Sequence, residues 1–464
     1  MRAAVAAGHP ATAAAGVEIL GEGGSAADAA VAAVLASCVA ETVMTGLLGG
    51  GHAIHYDAAS GEARNLDCFC AVPGLGAEWH EPELVHLDVP FGAELVHYAV
   101  GPASCAVPGV PAGLGALWEA HGRLPWPRLV EPALRLAREG VAMPAAHVAC
   151  LEMLEPVMTM REGARIYAPG GRLLRTGELL QQPGLVTALE SLAAEGPRGA
   201  YDGTIAAALL ELSRGRGGLV TAADLAAYAA AWSEPVETAW LGRRVLTRDG
   251  LSGMPESLPR LPRLHGRSGS DRLVTLVETL GRAAGPETHT TNLVTVDGDG
   301  NACVFTTSLG LGSGDWLPGL DMHLNSMLGE TDLIRGPLVP GARMESMMAP
   351  TLVFDAARLE LAIGAAGGTR LRTALLTVLA GILDEGLDPQ TAVDRPRVHP
   401  AGTVVNAEPG ADEGGLAVLE ARGLDVRRWP GRHHYFGGVS AVGETGAAAD
   451  PRRSGAALPA PPAA

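Results

Sequence analysis

Thr290 stands in the run Thr288-His289-Thr290-Thr291-Asn292, between an irregular stretch and an apolar segment that reads as a strand. A hydroxyl at such a junction, where a backbone cut is tolerable, is a candidate nucleophile for acyl transfer. Further on, Gly367-Gly368 lies between a strand-like and a helix-like segment. Two glycines there can aim neighbouring backbone N–H groups at one oxyanion, with no Cβ in the way. Both features also have ordinary uses, since threonines open strands and glycine pairs make turns.

Other chemistries are excluded more firmly. The chain has 464 residues, 34 of them basic and 51 acidic, and a formal net charge of -17. Nucleic acid and anionic membrane are therefore not expected partners. Every basic residue other than histidine is arginine. Without lysine there is no Schiff base, P-loop lysine or Ser-Lys dyad. No G-x-S-x-G, H-E-x-x-H or paired C-x-x-C occurs. Gly21-Glu22-Gly23-Gly24-Ser25-Ala26 matches G-x-G-x-x-A but follows a helical pattern, so it reads as a turn. His52 and His55 would face opposite sides of a strand, poor geometry for a shared metal. Cys38, Cys68, Cys70, Cys105, Cys150 and Cys303 fit no disulfide or zinc spacing and read as reduced core residues. No cofactor is expected. No segment offers ~18 unbroken apolar residues and the N-terminus lacks an apolar signal core, so a cytoplasmic address is expected.

The elements that must position these groups are legible in outline. With 47% hydrophobic and 18% charged residues, the chain suits a compact fold. Residues 11–20 and 25–41 read as helices, the second opened by a Ser25/Asp28 capping box. His52 to Tyr56 reads as a strand, and 132–139 and 183–194 as helices ended by Gly140 and Gly196. Thr221 and Asp224 repeat the capping pattern. Residues 293–296 and 302–307 read as strands joined by Asp297-Gly298-Asp299-Gly300-Asn301, a hairpin signal. A second pair, 351–355 and 359–363, precedes the glycine run and a helix from about 369 to 385. Residues 249–271 are dominated by Pro, Gly, Ser and Arg and read as an exposed mobile loop; the tail after Gly446 reads as loosely held. Strands flanked by buried helices predict a layered α+β domain.

Taken in order, these segments resemble the γ-glutamyltranspeptidase family over nearly the whole chain. The resemblance rests on His9-Pro10 through Gly23-Gly24, Asp28 to Ala33, Gly49-Gly50-Gly51 and Val107-Pro108-Gly109-Val110-Pro111. It continues through Thr290-Thr291, Val296 to Ala302, Leu324-Asn325-Ser326, Ser346 to Thr351, Gly367-Gly368 and Ala449-Asp450-Pro451-Arg452-Arg453. It implies a four-layer αββα N-terminal-nucleophile sandwich and self-cleavage between His289 and Thr290. Residues 1–289 would form the large fragment and 290–464 the small one, associated as one unit. Thr290 would be the nucleophile and its freed α-amino group, with an unperturbed pKa of ~7.7–8.0, the base. Gly367 and Gly368 would hold the oxyanion. Ser308 falls where the family has a second threonine. Glu330 matches the acid that holds a substrate ammonium; Asn325 and Ser346 match further substrate contacts.

Departures bear on the substrate. Phe69 aligns with the arginine that clamps a glutamyl carboxylate, Met347 replaces a serine, Gly310 an asparagine and Asn292 a histidine. The region before Thr290 is shorter than in typical members. The first expectation is a γ-glutamyl transferase or hydrolase acting on a glutathione-like amide, with water or an amine as acceptor. The alternatives are an acylase of the same mechanism with another acyl group, such as glutaryl, and an uncleaved inactive homologue that only binds.

Overall fold

The computed structural model describes all residues except 78–81, 83, 92–93, 282–289 and 462–464. Two antiparallel sheets are packed face to face. In the first, the order is Ala456–Pro459, Ala4–Ala7, Thr291–Val296, Ala302–Ser308, Gly50–Asp57, Glu62–Cys68 and Ala231–Ser233. The second runs Gly446–Ala449, Gly438–Gly443, Arg358–Ala366, Thr351–Asp355, Arg243–Thr247 and Val236–Trp240.

The period-2 alternation of strands sends each residue to one of two cores. Ala4, Ala6, Val294, Val296, Ala302 and Val304 meet Leu352, Phe354, Ala362 and Val442 between the sheets. Their alternates Val5, Ala7, Leu293, Cys303 and Phe305 face a helical layer that includes Pro10–Gly21 and Ala26–Ala40. On the far side of the second sheet, Ile363, Ala365, Val439 and Ala441 pack under the helix Arg370–Leu379. The expected αββα sandwich results. The helix Ala26–Ala40 is buried along its whole length and is opened by the Ser25/Asp28 capping box. Thr221 and Asp224 form theirs as well. All six cysteines are buried and unbridged. Among the described residues no helix is long and apolar enough to cross a membrane.

Two expectations are corrected. Residues 249–271 are not a mobile loop: Met254–Ser257 and Leu258–Arg260 are helical turns, and Leu258, Leu261 and Leu264 are buried against Trp240 and the second sheet. Apolar burial at every third residue outweighs the local Pro and Arg content. Nor is the tail loose. Gly446–Ala449 and Ala456–Pro459 are strands, and between them Arg452 is buried against Glu408 and Asp450. Element ends also move. The helix expected at 132–139 starts earlier and spans Trp126–Glu139, accommodating Pro132 inside it. The last predicted helix is Arg370–Leu379 followed by a wider turn, Ala380–Asp384.

Candidate active site

The strand Thr291–Val296 pairs antiparallel with Ala302–Ser308, Thr291 opposite Thr307. Continued by one residue, that register sets Thr290 against Ser308, which itself pairs with Gly50. Thr290 is 2% exposed. The expected cut lies between it and His289, and His289 is outside the described residues.

Thr290, Ser308, Glu330, Ser346, Gly368 and Phe69 line one cavity, together with Met327, Leu333, Met347, Met348 and Leu371. Six of the eight residues singled out in the sequence thus converge, although they come from segments far apart in the chain. The cavity volume is ≈ 20 Å³, about one water.

The two remaining residues lie just outside. Asn325 is fully buried and spends its amide on backbone: Nδ2 donates to Leu48 O and Ala106 O, both at 2.8 Å, and Oδ1 accepts from Ala106 N and Met327 N. It shapes the loop that carries Met327 and Glu330 and does not line the cavity. Gly367 has φ +126, a conformation that L side chains rarely adopt, and a Cβ there would come within 2.8 Å of Gly437 Cα. It brings the strand Arg358–Ala366 sharply into the helix that follows. Gly367 O and Gly368 O accept from Arg370 N and Leu371 N, so the first helical turn starts at this corner. Its N-terminal end, favourable to negative charge, stands beside the cavity.

Each wall is pinned from behind. Phe69 N donates to Asp67 Oδ1 at 2.8 Å, and Phe69 O accepts from Tyr228 Oη at 2.6 Å and Arg343 Nη1 at 2.7 Å. Its ring stacks on His52. Ser346 O and Met348 O accept from Arg248 Nη1, and Ser346 Oγ accepts from Met348 N. Ser308 Oγ accepts from Gly310 N at 3.0 Å.

Among the described residues, Glu330 is the one ionisable side chain that lines the cavity. Both its carboxyl oxygens are buried and without a hydrogen-bond partner, which is costly for a charged group. Burial, reinforced by Asp332, pushes it up to about 8. Gly310, with φ +70, makes room for it: a Cβ there would lie 2.3 Å from Glu330 Oε1 and 2.6 Å from Ser326 Oγ. The space that Gly310 leaves and the position of Glu330 thus depend on one another. Asn292 accepts from Thr306 Oγ1 at 2.7 Å and packs where Gly364 leaves space.

Sequence reasoning missed the apolar lining by Met327, Leu333, Met348 and Leu371. The one available signal was the methionine cluster Met344, Met347 and Met348, since methionine fills adaptable pockets. It also missed Glu41, whose carboxyl accepts from Thr12 and from Thr291, the residue after Thr290.

The family model described as gamma-glutamyltranspeptidase matches residues 12–257 and 268–460. The acylase ACY 1 proenzyme of Pseudomonas sp. (strain SE83) is 28% identical, over 95% of this chain and 89% of its own. The glutathione hydrolase proenzyme of Escherichia coli (strain K12) is 26% identical, over 89% of this chain and 83% of its own. Among solved structures, cephalosporin acylase from Bacillus halodurans superposes with a TM-score of 0.81 at 24% identity, covering 98% of this chain and 95% of that one. The fold is shared throughout.

Proposed function

Since the chain belongs to the γ-glutamyltranspeptidase family and is an enzyme of that family, we propose that it is a self-cleaving amide hydrolase or acyltransferase with Thr290 as nucleophile. The observation that carries this reading is the convergence of Thr290, Ser308 and Gly368 on one buried cavity beside a helix N-terminus.

In maturation, Thr290 Oγ attacks the carbonyl of residue 289. The peptide C–N bond breaks and an ester forms, and water releases the large fragment, residues 1–289. The freed α-amino group then serves as base. With substrate, it takes the Oγ proton as Oγ bonds to the acyl carbon. The backbone N–H of Gly368, which lines the cavity, stabilises the oxyanion, helped by that of Gly367 at its edge, an effect worth ~2.7–4 kcal/mol for one donor in an oxyanion hole. The amide C–N bond breaks, the leaving amine takes the proton, and water or a second amine resolves the ester. Ser308, opposite Thr290, orients the nucleophile, and Glu330 and Ser346 contact the acyl group.

An acylase named among the relatives and a cavity wall of Phe69 and Met347 favour an acyl group other than glutamyl over a glutathione-like donor. Turnover of a chromogenic amide by wild type, lost by at least about a thousandfold in Thr290→Ala, is the expected result. Equal turnover by the two proteins sinks the assignment of the nucleophile.

A further inference from the structure

The walls of the cavity define a charge pattern. Besides Glu330, the described residues of the lining are Phe69, three methionines, two leucines, hydroxyls and glycine backbone. None of these residues is basic. The arginines nearby are committed elsewhere. Arg343 donates to Phe69 O and Ala229 O and stacks on Tyr228. Arg248 donates to Ser346 O and Met348 O. Arg335, beside Asp332, is exposed and does not line the cavity.

A carboxylate brought into this space would lose its water and meet no basic side chain among the described lining residues. Burial of such a charge without a partner is strongly unfavourable. An ammonium, in contrast, would satisfy a buried carboxyl that has no hydrogen-bond partner. The methionines can swing aside for an apolar chain, since unbranched thioether side chains repack at little cost.

Resting on the reading of Thr290 as nucleophile and of Glu330 as the contact for a substrate ammonium, as the family resemblance implies, we infer that the acyl group carries an apolar substituent where a glutamyl or glutaryl group would carry a carboxylate. The apolar substituent lies against Phe69 and Met347. Discrimination is therefore built into the acyl side of the reaction, and the leaving amine is not constrained by it.

The test uses the mature enzyme and four p-nitroanilides that share one leaving group. 4-Aminopentanoyl differs from γ-glutamyl by a methyl in place of the carboxylate; pentanoyl lacks the amine, and glutaryl lacks the amine but keeps a carboxylate. The expected order in kcat/KM has 4-aminopentanoyl above γ-glutamyl by at least about tenfold, with pentanoyl between them and glutaryl lowest. Met347→Ser should narrow the first ratio, and Phe69→Arg should reverse it. Complete self-cleavage of each variant shows that it has folded. A γ-glutamyl or glutaryl preference in wild type overturns the inference and leaves the amidohydrolase reading standing. Absence of self-cleavage, or of turnover of all four amides, removes that reading and the inference with it.

Discussion

Thr291 Oγ1 donates to Glu41 Oε2 at 2.5 Å, tying the residue next to the proposed nucleophile to the end of the helix Ala26–Ala40. Thr12 Oγ1 donates to the other oxygen at 2.6 Å. Burial pushes the Glu41 carboxyl up, while these hydroxyls and Arg453 pull it down. Glu41→Gln turns one acceptor into a donor facing a donor. We expect a loss of about 1.5–3 kcal/mol in urea unfolding, measured in an uncleavable Thr290→Ala background. With Thr290 restored, self-cleavage should slow, because the strand start is less firmly held.

Gly310 should not tolerate a side chain. Alanine there adopts a left-handed conformation at a cost of roughly 1–2 kcal/mol and drives its Cβ into Glu330 and Ser326. Gly310→Ala should raise KM for an amine-bearing substrate more than it lowers kcat, since the displaced group is the acyl contact. An unchanged KM would mean that Glu330 does not touch substrate.

Glu330 also predicts a pH dependence of stability. Unfolded, its carboxyl titrates near the ordinary 4.5; folded, near about 8. Between those values the folded protein holds the extra proton, so stability from this group falls as pH rises from 4.5 towards 8. Glu330→Gln lacks that loss. The melting temperature of the variant should therefore gain on that of wild type across this window, and a constant gap would contradict it.

Buried histidines act in the opposite direction. Burial lowers His9 to about 4 and His55, His147, His323 and His399 to about 3. Below the unfolded value of 6.5 the unfolded chain binds protons that the folded one refuses. Stability is lost as pH falls from 6.5 towards 3, by up to about 1.4 kcal/mol per pH unit for each group. Acid unfolding followed by circular dichroism should show a steep transition there. Replacing surface-exposed His265 should leave it unmoved.

Much of this architecture could be read in the sequence because local signals agreed with the tertiary ones. The strands around Asp297–Asn301 alternate cleanly, and Ser25/Asp28 marks a helix start that needs no distant partner. Leu258, Leu261 and Leu264 were overlooked because proline and arginine surround them and their burial depends on a sheet assembled from distant strands. The Ala, Pro and Arg content after Gly446 reads as a loosely held tail; Arg452 and Arg453 within it are buried, Arg452 by pairing with Glu408 and Asp450. Thr290 and the glycine pair stood out through motif resemblance, whereas the apolar lining did not. Met327, Leu333 and Leu371 become neighbours only when the sheets close on one another.

If Thr290 is the nucleophile, it must become an N-terminus. Intact-mass analysis of the purified protein tests it most directly. Wild type should give two fragments of about 29 and 18 kDa, in proportion to residue number from 47.4 kDa, the smaller beginning at Thr290, and Thr290→Ala a single chain. A wild-type protein that turns over amide while remaining one chain of 47.4 kDa, or one cut at another residue, would contradict it.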